Sequence, residues 1–289
     1  QVGEQWIVET DIYQPLDVRQ RFFVQPLARY ERNFEDIYSD GDRVARYIIS
    51  EAYGQADAGL NLSTRAQIRL GVRLGEFKSE VDTGPSILPE SGWENDSSMQ
   101  LRAVYDTRNS VALPTSGTFL NARLVSSNDW MGGDQDYGLV EGVMTKSYPF
   151  RGDALSLILG GGDRLSGDLS PPQEFQLGGI RTFPGLQRGE LRGDSYWFAG
   201  SSYYWKMADI QSLFGQALYA GLRLQGGRMG DRIDQVRDGA LYGVSGSLGG
   251  RTPVGPFIIS LGWVDNGNLQ LQLAIGRPIA EGSILDELR

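Results

Sequence analysis

The side chains of this sequence that are able to do chemistry are carboxylates, tyrosines, lysines and arginines, because its 289 residues include no histidine and no cysteine. Their absence excludes disulfides and Ser-His-Asp or Cys-His nucleophilic sites, and it removes the usual ligands of zinc, copper and haem. Asp238-Gly239-Ala240 matches the acidic half of a Ser–Asp hydrolytic dyad, but no Gly-x-Ser-x-Gly elbow accompanies it. The sequence therefore predicts no catalytic residue, no metal site and no cofactor.

The charged residues give a net charge of −9, and arginine dominates their basic members. A nucleic-acid partner would require a basic face, so the sequence predicts none. Only Lys78, Lys146 and Lys206 among the 27 basic residues are lysines. Because the planar guanidinium group pairs with carboxylates at two points, this composition indicates a partly enclosed charge network. The adjacent acids Glu35 and Asp36 are expected in a solvated loop.

Alternation of apolar and polar residues with a period of two recurs along the chain, and helix signals are nearly absent. The clearest example is the segment 268–276, which carries Leu269, Leu271, Leu273 and Ile275 on one face and polar or small residues on the other. The same alternation occurs in the segments 66–75, 99–106, 218–227 and 257–264. These patterns predict an all-β protein.

Thirteen strands are predicted from this alternation. They span residues 6–13, 20–32, 43–62, 66–79, 95–106, 118–127, 136–146, 154–162, 195–207, 217–228, 240–249, 257–265 and 268–277. In a soluble sandwich the apolar face of each strand is buried, whereas in a membrane barrel it meets lipid and the polar face lines the interior. Long strands and the aromatic cluster between residues 196 and 205 favour the antiparallel transmembrane β-barrel.

The longest region without alternation is the segment 164–194, which is rich in proline and glycine. Its length of about 30 residues exceeds the usual limit of roughly 12–15 for an ordinary loop, and such loops are generally functional or disordered. The segment also contains aromatic and aliphatic residues, which indicate that it packs against another part of the protein. We therefore predict a loop folded back into the lumen of the barrel.

Two motifs resemble those of a known family. Asp106, Arg108, Pro114 and Gly117 are spaced as in the D-T-R-x(5)-P-x-x-G signature of the bacterial surface antigen superfamily, the outer-membrane assembly and secretion barrels. The second motif, Leu177-Gly178-Gly179-Ile180-Arg181-Thr182-Phe183-Pro184-Gly185-Leu186, resembles the sixth extracellular loop of the same superfamily. Its form, together with Tyr13-Gln14-Pro15-Leu16-Asp17 and Phe23-Val24-Gln25-Pro26, is most similar to the barrels of patatin-like phospholipase (type Vd) autotransporters.

The resemblance implies that residues 1–289 form a single outer-membrane barrel domain, the C-terminal part of a longer protein. It implies a sixteen-stranded barrel, an even number as in other bacterial barrels, to which the thirteen strands of this chain contribute. It also implies an N-terminal patatin passenger and one POTRA-type domain before this chain. The expected location is the bacterial outer membrane, and the expected partners are its lipid, the passenger, the POTRA-type domain and the barrel assembly machinery.

One feature departs from the family pattern. Many relatives carry Arg-Gly-Phe or Arg-Gly-Tyr at the loop tip, where the arginine pairs with an aspartate on a nearby strand. This chain has Pro184-Gly185-Leu186 at the tip, and the expected partner strand reads Leu224-Gln225-Gly226-Gly227. Both charges are missing together, so no buried charge is left unpaired. We expect packing of Phe183 and Leu186 to hold the loop instead.

The function expected from these features is protein translocation through a polar lumen. The residues predicted to line that lumen are Arg69, Arg73, Arg102, Arg123 and Arg223, opposed by Glu51, Asp57 and Asp106. Three alternatives stay open. An insertase that assembles other barrels would require a weak seam between the first and last strands, a passive porin is disfavoured by the plug-like loop, and a soluble all-β enzyme or binding domain would stay soluble without detergent.

Overall fold

The computed structural model describes residues 5–39, 41–110, 114–208, 218–230, 239–252 and 255–276. These residues form strands and one short 3₁₀ turn, Asp129–Met131. The strands are β1 (Gln5–Asp11), β2 (Gln14–Pro15), β3 (Phe22–Ser39), β4 (Asp42–Ser63), β5 (Ala66–Thr83), β6 (Ser91–Asn95), β7 (Ser98–Asp106), β8 (Gly117–Ser127), β9 (Tyr137–Phe150), β10 (Asp153–Gly167), β11 (Phe175–Leu177), β12 (Leu191–Gly193), β13 (Ser195–Ala208), β14 (Leu218–Gly230), β15 (Leu241–Thr252), β16 (Gly255–Val264) and β17 (Leu269–Ile275).

Hydrogen bonding joins most of these strands in chain order. The order is β1-β3-β4-β5-β7-β8-β9-β10-β13-β14-β15-β16-β17, with β2 beside β3, β6 beside β5, and β11 and β12 in a separate two-stranded sheet. The thirteen strands of this path are the thirteen that the alternation predicts. Residues 217 and 277, at the ends of two predicted strands, and Asp238 of the dyad-like tripeptide lie outside the described residues.

Several predicted boundaries are wrong. Strands β5 and β9 each end four residues later than predicted, and β7 begins three residues later. Strand β3 continues to Ser39, beyond the predicted end at residue 32, so Glu35 and Asp36 lie within a strand and not in a loop. Asp36 pairs there with Arg46 of β4 at 2.7 Å, which compensates its charge. Strand β10 continues to Gly167, so the long loop begins at residue 168 and not at residue 164.

The chain forms two compact units. The first contains Gln1–Tyr105, Ala122–Glu141 and Gly162–Phe175, and the second contains Asp106–Asn121, Gly142–Gly161 and Gln176–Arg289. In the second unit, Leu269, Leu271, Leu273 and Ile275 of β17 are all more than 60% exposed. We call the side that carries these rows the outer face, and the opposite side the inner face. The apolar rows thus point away from the protein interior, as predicted for a barrel whose outer face meets lipid.

In the first unit, the distribution of apolar residues reverses along the strands. Near the turn between β4 and β5, the outer face of β5 carries exposed Leu70 and Leu74. Farther along β5, the outer face carries the charged residues Lys78 and Glu80, which form an ion pair at 2.7 Å. The inner face of this distal half is instead apolar, and Phe77 is buried there. The distal part of β5 therefore has a charged outer face and a buried aromatic residue on its inner face.

No helix within the described ranges is long and apolar enough to cross a membrane. Strands β9 and β10 are joined by the two-residue turn Arg151-Gly152. A much longer connection, residues 168–194, leads from β10 to β13 and contains β11 and β12. We call this connection the long loop, and it is the part of the fold on which the candidate site depends.

Candidate functional site

The Asp106-Thr107-Arg108 motif is a clasp at the start of the connection between β7 and β8. The guanidinium group of Arg108 binds the Asp106 carboxylate at two points, 2.8 and 3.1 Å, and stacks over the Phe119 ring at 3.9 Å. Thr107 bonds to the backbone of Thr118 through both its main chain and its hydroxyl group. These contacts join the two ends of the connection. The motif residues therefore have a structural role, as expected of a strand–turn–strand signature.

Gly117 and Pro114 complete this clasp. Gly117 has a φ of 105°, a backbone conformation that glycine adopts at little cost. A Cβ atom at Gly117 would lie 2.6 Å from the carbonyl carbon of Thr107, so the close approach of the two strand ends requires glycine. Pro114 is half-buried in the same connection. The side-chain oxygen of Asn109 accepts hydrogen bonds from the backbone of Thr115 and Ser116.

A second clasp lies in the segment that resembles the type Vd barrels. Asp17 accepts hydrogen bonds from the backbone N–H groups of Arg21 and Phe22, at 2.6 and 2.9 Å. The bond from the Phe22 N–H group lowers the pKa of the Asp17 carboxyl group. Tyr13 stacks on Phe23 with ring centroids 4.8 Å apart. The motif thus fixes the turn that precedes β3.

The tip of the long loop is bound to the inner face of β14 and β17 through its backbone. Arg223 donates from its two terminal nitrogens to the carbonyl oxygens of Arg181 and Thr182, at 2.6 and 2.8 Å. Gln225 donates to the carbonyl oxygen of Pro184 at 2.9 Å. Gln272 of β17 donates to that of Leu186 at 2.7 Å. Three side chains of the inner face therefore satisfy four main-chain carbonyl groups of the loop tip.

Apolar packing holds the same tip. Phe183 and Leu186 are fully buried. Gly227 of β14 makes room for Phe183, since a Cβ atom there would lie 3.2 Å from the Phe183 ring. Gly262 of β16 makes room for the loop backbone, since a Cβ atom there would lie 2.5 Å from the Gly185 nitrogen. Pro184 and Gly185 thus pass directly over a strand that has no side chain at the crossing point.

The sequence predicts that Arg223 and four other arginines line a water-filled lumen. Its terminal nitrogens instead bind the loop backbone, and its Nε atom is buried without a hydrogen-bond partner. The hypothesis that packing of Phe183 and Leu186 holds the loop is therefore incomplete, because hydrogen bonds from the strands act beside it. These bonds depend on a fold-level contact between β14 and the loop, which the local pattern of the strand does not reveal.

The other four predicted arginines lie on the inner face of the first unit. Arg69 lies 3.7 Å from Asp57, and Arg123 lies 2.9 Å from Glu141. Arg102 is the register partner of Arg69 on the neighbouring strand. Each arginine alternates with exposed outer-face residues along its strand, so these charges lie on the side opposite to the apolar rows.

Arg73 is the centre of a buried network in the first unit. It pairs with Glu51, lies 3.5 Å from Asp96, and stacks on the Tyr53 ring with its guanidinium carbon 3.9 Å from the ring centroid. Asp96 also accepts hydrogen bonds from the Tyr137 hydroxyl group at 2.8 Å and from Gln173 at 3.1 Å. Because Gln173 belongs to the long loop, this network anchors the first part of the loop to the first unit.

A matching family model completes this description. The Omp85 superfamily domain matches residues 7–277. The chain belongs to the Omp85 superfamily. A sequence comparison with curated proteins gives no match.

Solved structures show the same fold. The Omp85 domain is similar to BamA from Haemophilus ducreyi lacking POTRA domains 1–3, with a TM-score of 0.72, 12% identity, and coverage of 93% of this chain and 61% of that chain. It is similar to CdiB from Escherichia coli, with a TM-score of 0.65, 13% identity, and coverage of 94% of this chain and 51% of that chain. It is also similar to CdiB from Acinetobacter baumannii, with a TM-score of 0.58, 12% identity, and coverage of 93% of this chain and 48% of that chain.

These comparisons confirm three predictions for the Omp85 domain: the family, the all-β antiparallel barrel fold and the location in the bacterial outer membrane. The chain spans 61% of the BamA structure and about half of the two CdiB structures. The type Vd subgroup stays a prediction. At identities of 12–13%, the structural likeness concerns the fold and not the cargo or the partners.

The polar contacts of the Omp85 domain include residues that the sequence did not single out. Gln272 and Gln225 alternate with leucines in predicted strands, so the pattern placed them on the polar face without indicating what they bind. Asp96 lies at the start of the predicted strand 95–106 and Gln173 in the predicted loop 164–194, and no local signal connects them. Within the described residues, no group of three or more acidic side chains is arranged to hold a metal ion.

Proposed function

We propose that this Omp85 domain is a translocation pore through which an unfolded polypeptide threads across the outer membrane. One observation carries the proposal: Arg223, Gln225 and Gln272 bind the long loop through its main-chain carbonyl groups. Every polypeptide carries the same carbonyl groups. An extended segment entering the barrel therefore offers these donors the bonds that the loop provides at rest.

This exchange has an energetic advantage. A buried donor that loses its partner costs roughly 1–3 kcal/mol, and more for a charged group such as guanidinium. If the loop moves aside while a passing chain takes its place, the donors stay satisfied throughout. Because the contacts use no side chain of the cargo, they do not select for sequence, as transport of a whole polypeptide requires.

The paired charges of the inner face support the same role. Arg69 with Asp57 and Arg123 with Glu141 are pairs of opposite sign, so neither charge sign dominates at these positions. An inner face with paired charges is hydrated, and it does not strongly attract either acidic or basic segments of a passing polypeptide. A chain of mixed composition can then pass without binding tightly at any point.

The cargo that we propose is a patatin-like phospholipase fused to the N-terminal side of this domain in the complete protein. The proposal rests on Leu177–Leu186 and on the Tyr13–Asp17 turn, which resemble the type Vd autotransporters. In that arrangement a POTRA-type domain precedes the barrel and the barrel assembly machinery inserts it. Any enzymatic activity then resides in the passenger, and this domain acts as transporter alone.

Planar-bilayer recording on the complete protein tests the pore. We expect a fluctuating conductance that rises when residues 170–193 are deleted. Deletion of residues 129–134, a shorter connection in the first unit, is the control and is expected to leave the conductance unchanged. A barrel that stays silent in both forms contradicts the proposal.

Three further measurements separate the alternatives. Protease treatment of intact cells shows whether the N-terminal passenger reaches the surface, and a chain lacking residues 6–276 must fail to display it. Depletion of the protein discriminates the insertase, because an insertase is required by many outer-membrane proteins and a dedicated translocator is required only by its own passenger. Uptake of small sugars into vesicles without any passenger export indicates a passive porin.

A further inference from the structure

Lys146 occupies an unusual position in the second unit. It lies on β9 in the outer-face row that also contains Met144, Tyr148 and Phe150, each of which is exposed. This row belongs to the surface that meets lipid. Lysine on the lipid face of a barrel is destabilising at the middle of the bilayer and nearly neutral near its surface. The depth of Lys146 therefore decides which groups its charge meets.

The protein itself does not neutralise this charge. The Lys146 ammonium group donates a hydrogen bond to the Thr118 hydroxyl group at 2.9 Å and lies 5.5 Å from the centroid of the Tyr148 ring. Neither group is an anion. Among the residues that the structure describes, no carboxylate lies within 4.0 Å of Lys146. Lys146 therefore keeps an uncompensated positive charge on the outer face.

The nearest acidic residue along the hairpin is already engaged. Asp153, the first residue of β10, accepts a hydrogen bond from the Tyr203 hydroxyl group at 2.8 Å and another from the backbone N–H of Lys206 at 3.0 Å. By contrast, Arg151 in the turn adds a second exposed cation, which lies 5.5 Å from the Phe150 ring. The turn end of this hairpin therefore carries more positive than available negative charge on its outer face.

The depth of the site matches the surface of a bilayer. Thr118 is the second residue of β8, and Lys146 lies four residues before the end of β9. Tyr148, Tyr203 and Trp205 lie near the same end, and aromatic residues concentrate where the hydrocarbon meets the headgroups. The four-carbon side chain of lysine can extend its ammonium group to that level. Short turns of outer-membrane barrels lie on the periplasmic side, which identifies the leaflet.

We propose that Lys146, with the Thr118 hydroxyl group, binds the phosphate group of an anionic phospholipid in the periplasmic leaflet. The ammonium group supplies the charge and the hydroxyl group supplies a hydrogen-bond donor. Exposed Met144, on the side away from the turn, borders the acyl chains. The occupant is a phosphatidylglycerol-type lipid, whose net negative charge compensates the cation. The site is on the outer face and is independent of transport through the interior.

Native mass spectrometry of the complete protein tests this site. The probes are dioleoylphosphatidylglycerol and dioleoylphosphatidylcholine, added in equal amounts to the detergent-solubilised protein. We expect Lys146→Gln to lower the preference for phosphatidylglycerol by roughly fivefold, as one cation near an anionic headgroup contributes about 1 kcal/mol. Lys146→Arg keeps the charge and is expected to retain the preference. Inorganic phosphate is expected not to compete, because the site includes the acyl-chain contacts.

Lys78→Gln is the matched control. Lys78 is also on an outer face, but it pairs with Glu80 at 2.7 Å, so its loss is expected to leave lipid selection unchanged. Heat-modifiability on gels verifies that each variant is folded. Thr118→Val removes the hydroxyl group without changing any charge, and it is also expected to lower the preference for phosphatidylglycerol. Unchanged selection in both Lys146→Gln and Thr118→Val overturns the proposal, as does an equal loss in Lys78→Gln or full competition by inorganic phosphate.

Discussion

The side-chain amide of Gln225 donates a hydrogen bond to the main-chain carbonyl of Pro184, 2.9 Å away. Pro184 occupies the position where many relatives carry the arginine of an ion pair, and Gln225 lies on the strand expected to supply the aspartate. The two positions are thus in contact in this chain through a neutral hydrogen bond to the backbone. Neighbouring Arg223 contributes a cation from the strand side.

Replacement of Arg223 is expected to loosen the long loop. Arg223→Ala removes two charge-assisted hydrogen bonds to Arg181 and Thr182, each worth roughly 1.5–3 kcal/mol. Protease cleavage within residues 180–190 should accelerate, and the mean conductance should rise. Arg65→Ala, in an exposed turn of the first unit, is the control. Equal cleavage of the wild-type protein and Arg223→Ala shows that the bonds do not hold the loop.

Replacement of Phe183 tests the contribution of packing. Phe183 is fully buried, and truncation of such a residue to alanine costs roughly 3–5 kcal/mol. Phe183→Ala should reduce the protection of the loop against protease and alter secretion. Phe150→Ala, on the exposed outer face, should change neither. The packing hypothesis is wrong if loop protection and secretion survive in Phe183→Ala.

Addition of a single methyl group should displace the loop tip. In Gly262→Ala, the new Cβ atom would lie 2.5 Å from the Gly185 nitrogen, and backbone atoms cannot yield as a flexible side chain does. We expect increased conductance with the barrel still folded. Gly246→Ala is the matched control on the adjacent strand, since its Cβ atom would meet no atom within 4 Å. A closed pore in Gly262→Ala would show that the strand tolerates the displacement.

Removal of Arg73 should destabilise the first unit strongly. Arg73→Ala leaves Glu51 and Asp96 without their shared cation, and breaking a buried ion pair costs roughly 3–5 kcal/mol. Lys78→Ala breaks an outer-face pair and should cost about 0–1 kcal/mol. Urea unfolding followed by tryptophan fluorescence measures both values. Similar midpoints for the two variants would contradict the importance of the buried network.

The Asp17 turn should weaken in acid. The hydrogen bond from the Phe22 N–H group lowers the pKa of Asp17 in the folded protein. Its stabilising contribution is therefore fully present above the ordinary aspartate pKa of about 4 and is lost as the pH falls through the lowered pKa. Protection of residues 16–22 against hydrogen exchange, relative to the intrinsic rate at each pH, should fall below about pH 4 in the wild type. In Asp17→Asn this extra pH dependence should be absent, and its persistence would exclude Asp17 as the cause.

Much of the fold follows from local alternation, because each strand sorts its residues between two faces regardless of its partners. Leu269–Ile275 shows this clearly, and so do the segments around Leu70 and Leu222. The end of β3 was missed because Glu35 and Asp36 are adjacent. In a strand they point to opposite faces, so the pair interrupts the alternation on which the prediction was based. The contacts of Arg223, Gln225 and Gln272 with the loop connect residues about 40 to 90 positions apart, and no local pattern encodes them.

The length of β4 limits how much of the strand can lie in lipid. A spanning strand needs about 9–11 residues, whereas β4 contains 22. Its outer side is apolar or small from Leu62 to Ala52, and Ser50, Ile48 and Arg46 follow. β4 is thus about ten residues, or roughly 30 Å, longer than one membrane crossing. Some of its backbone hydrogen bonds must therefore form outside the hydrocarbon layer.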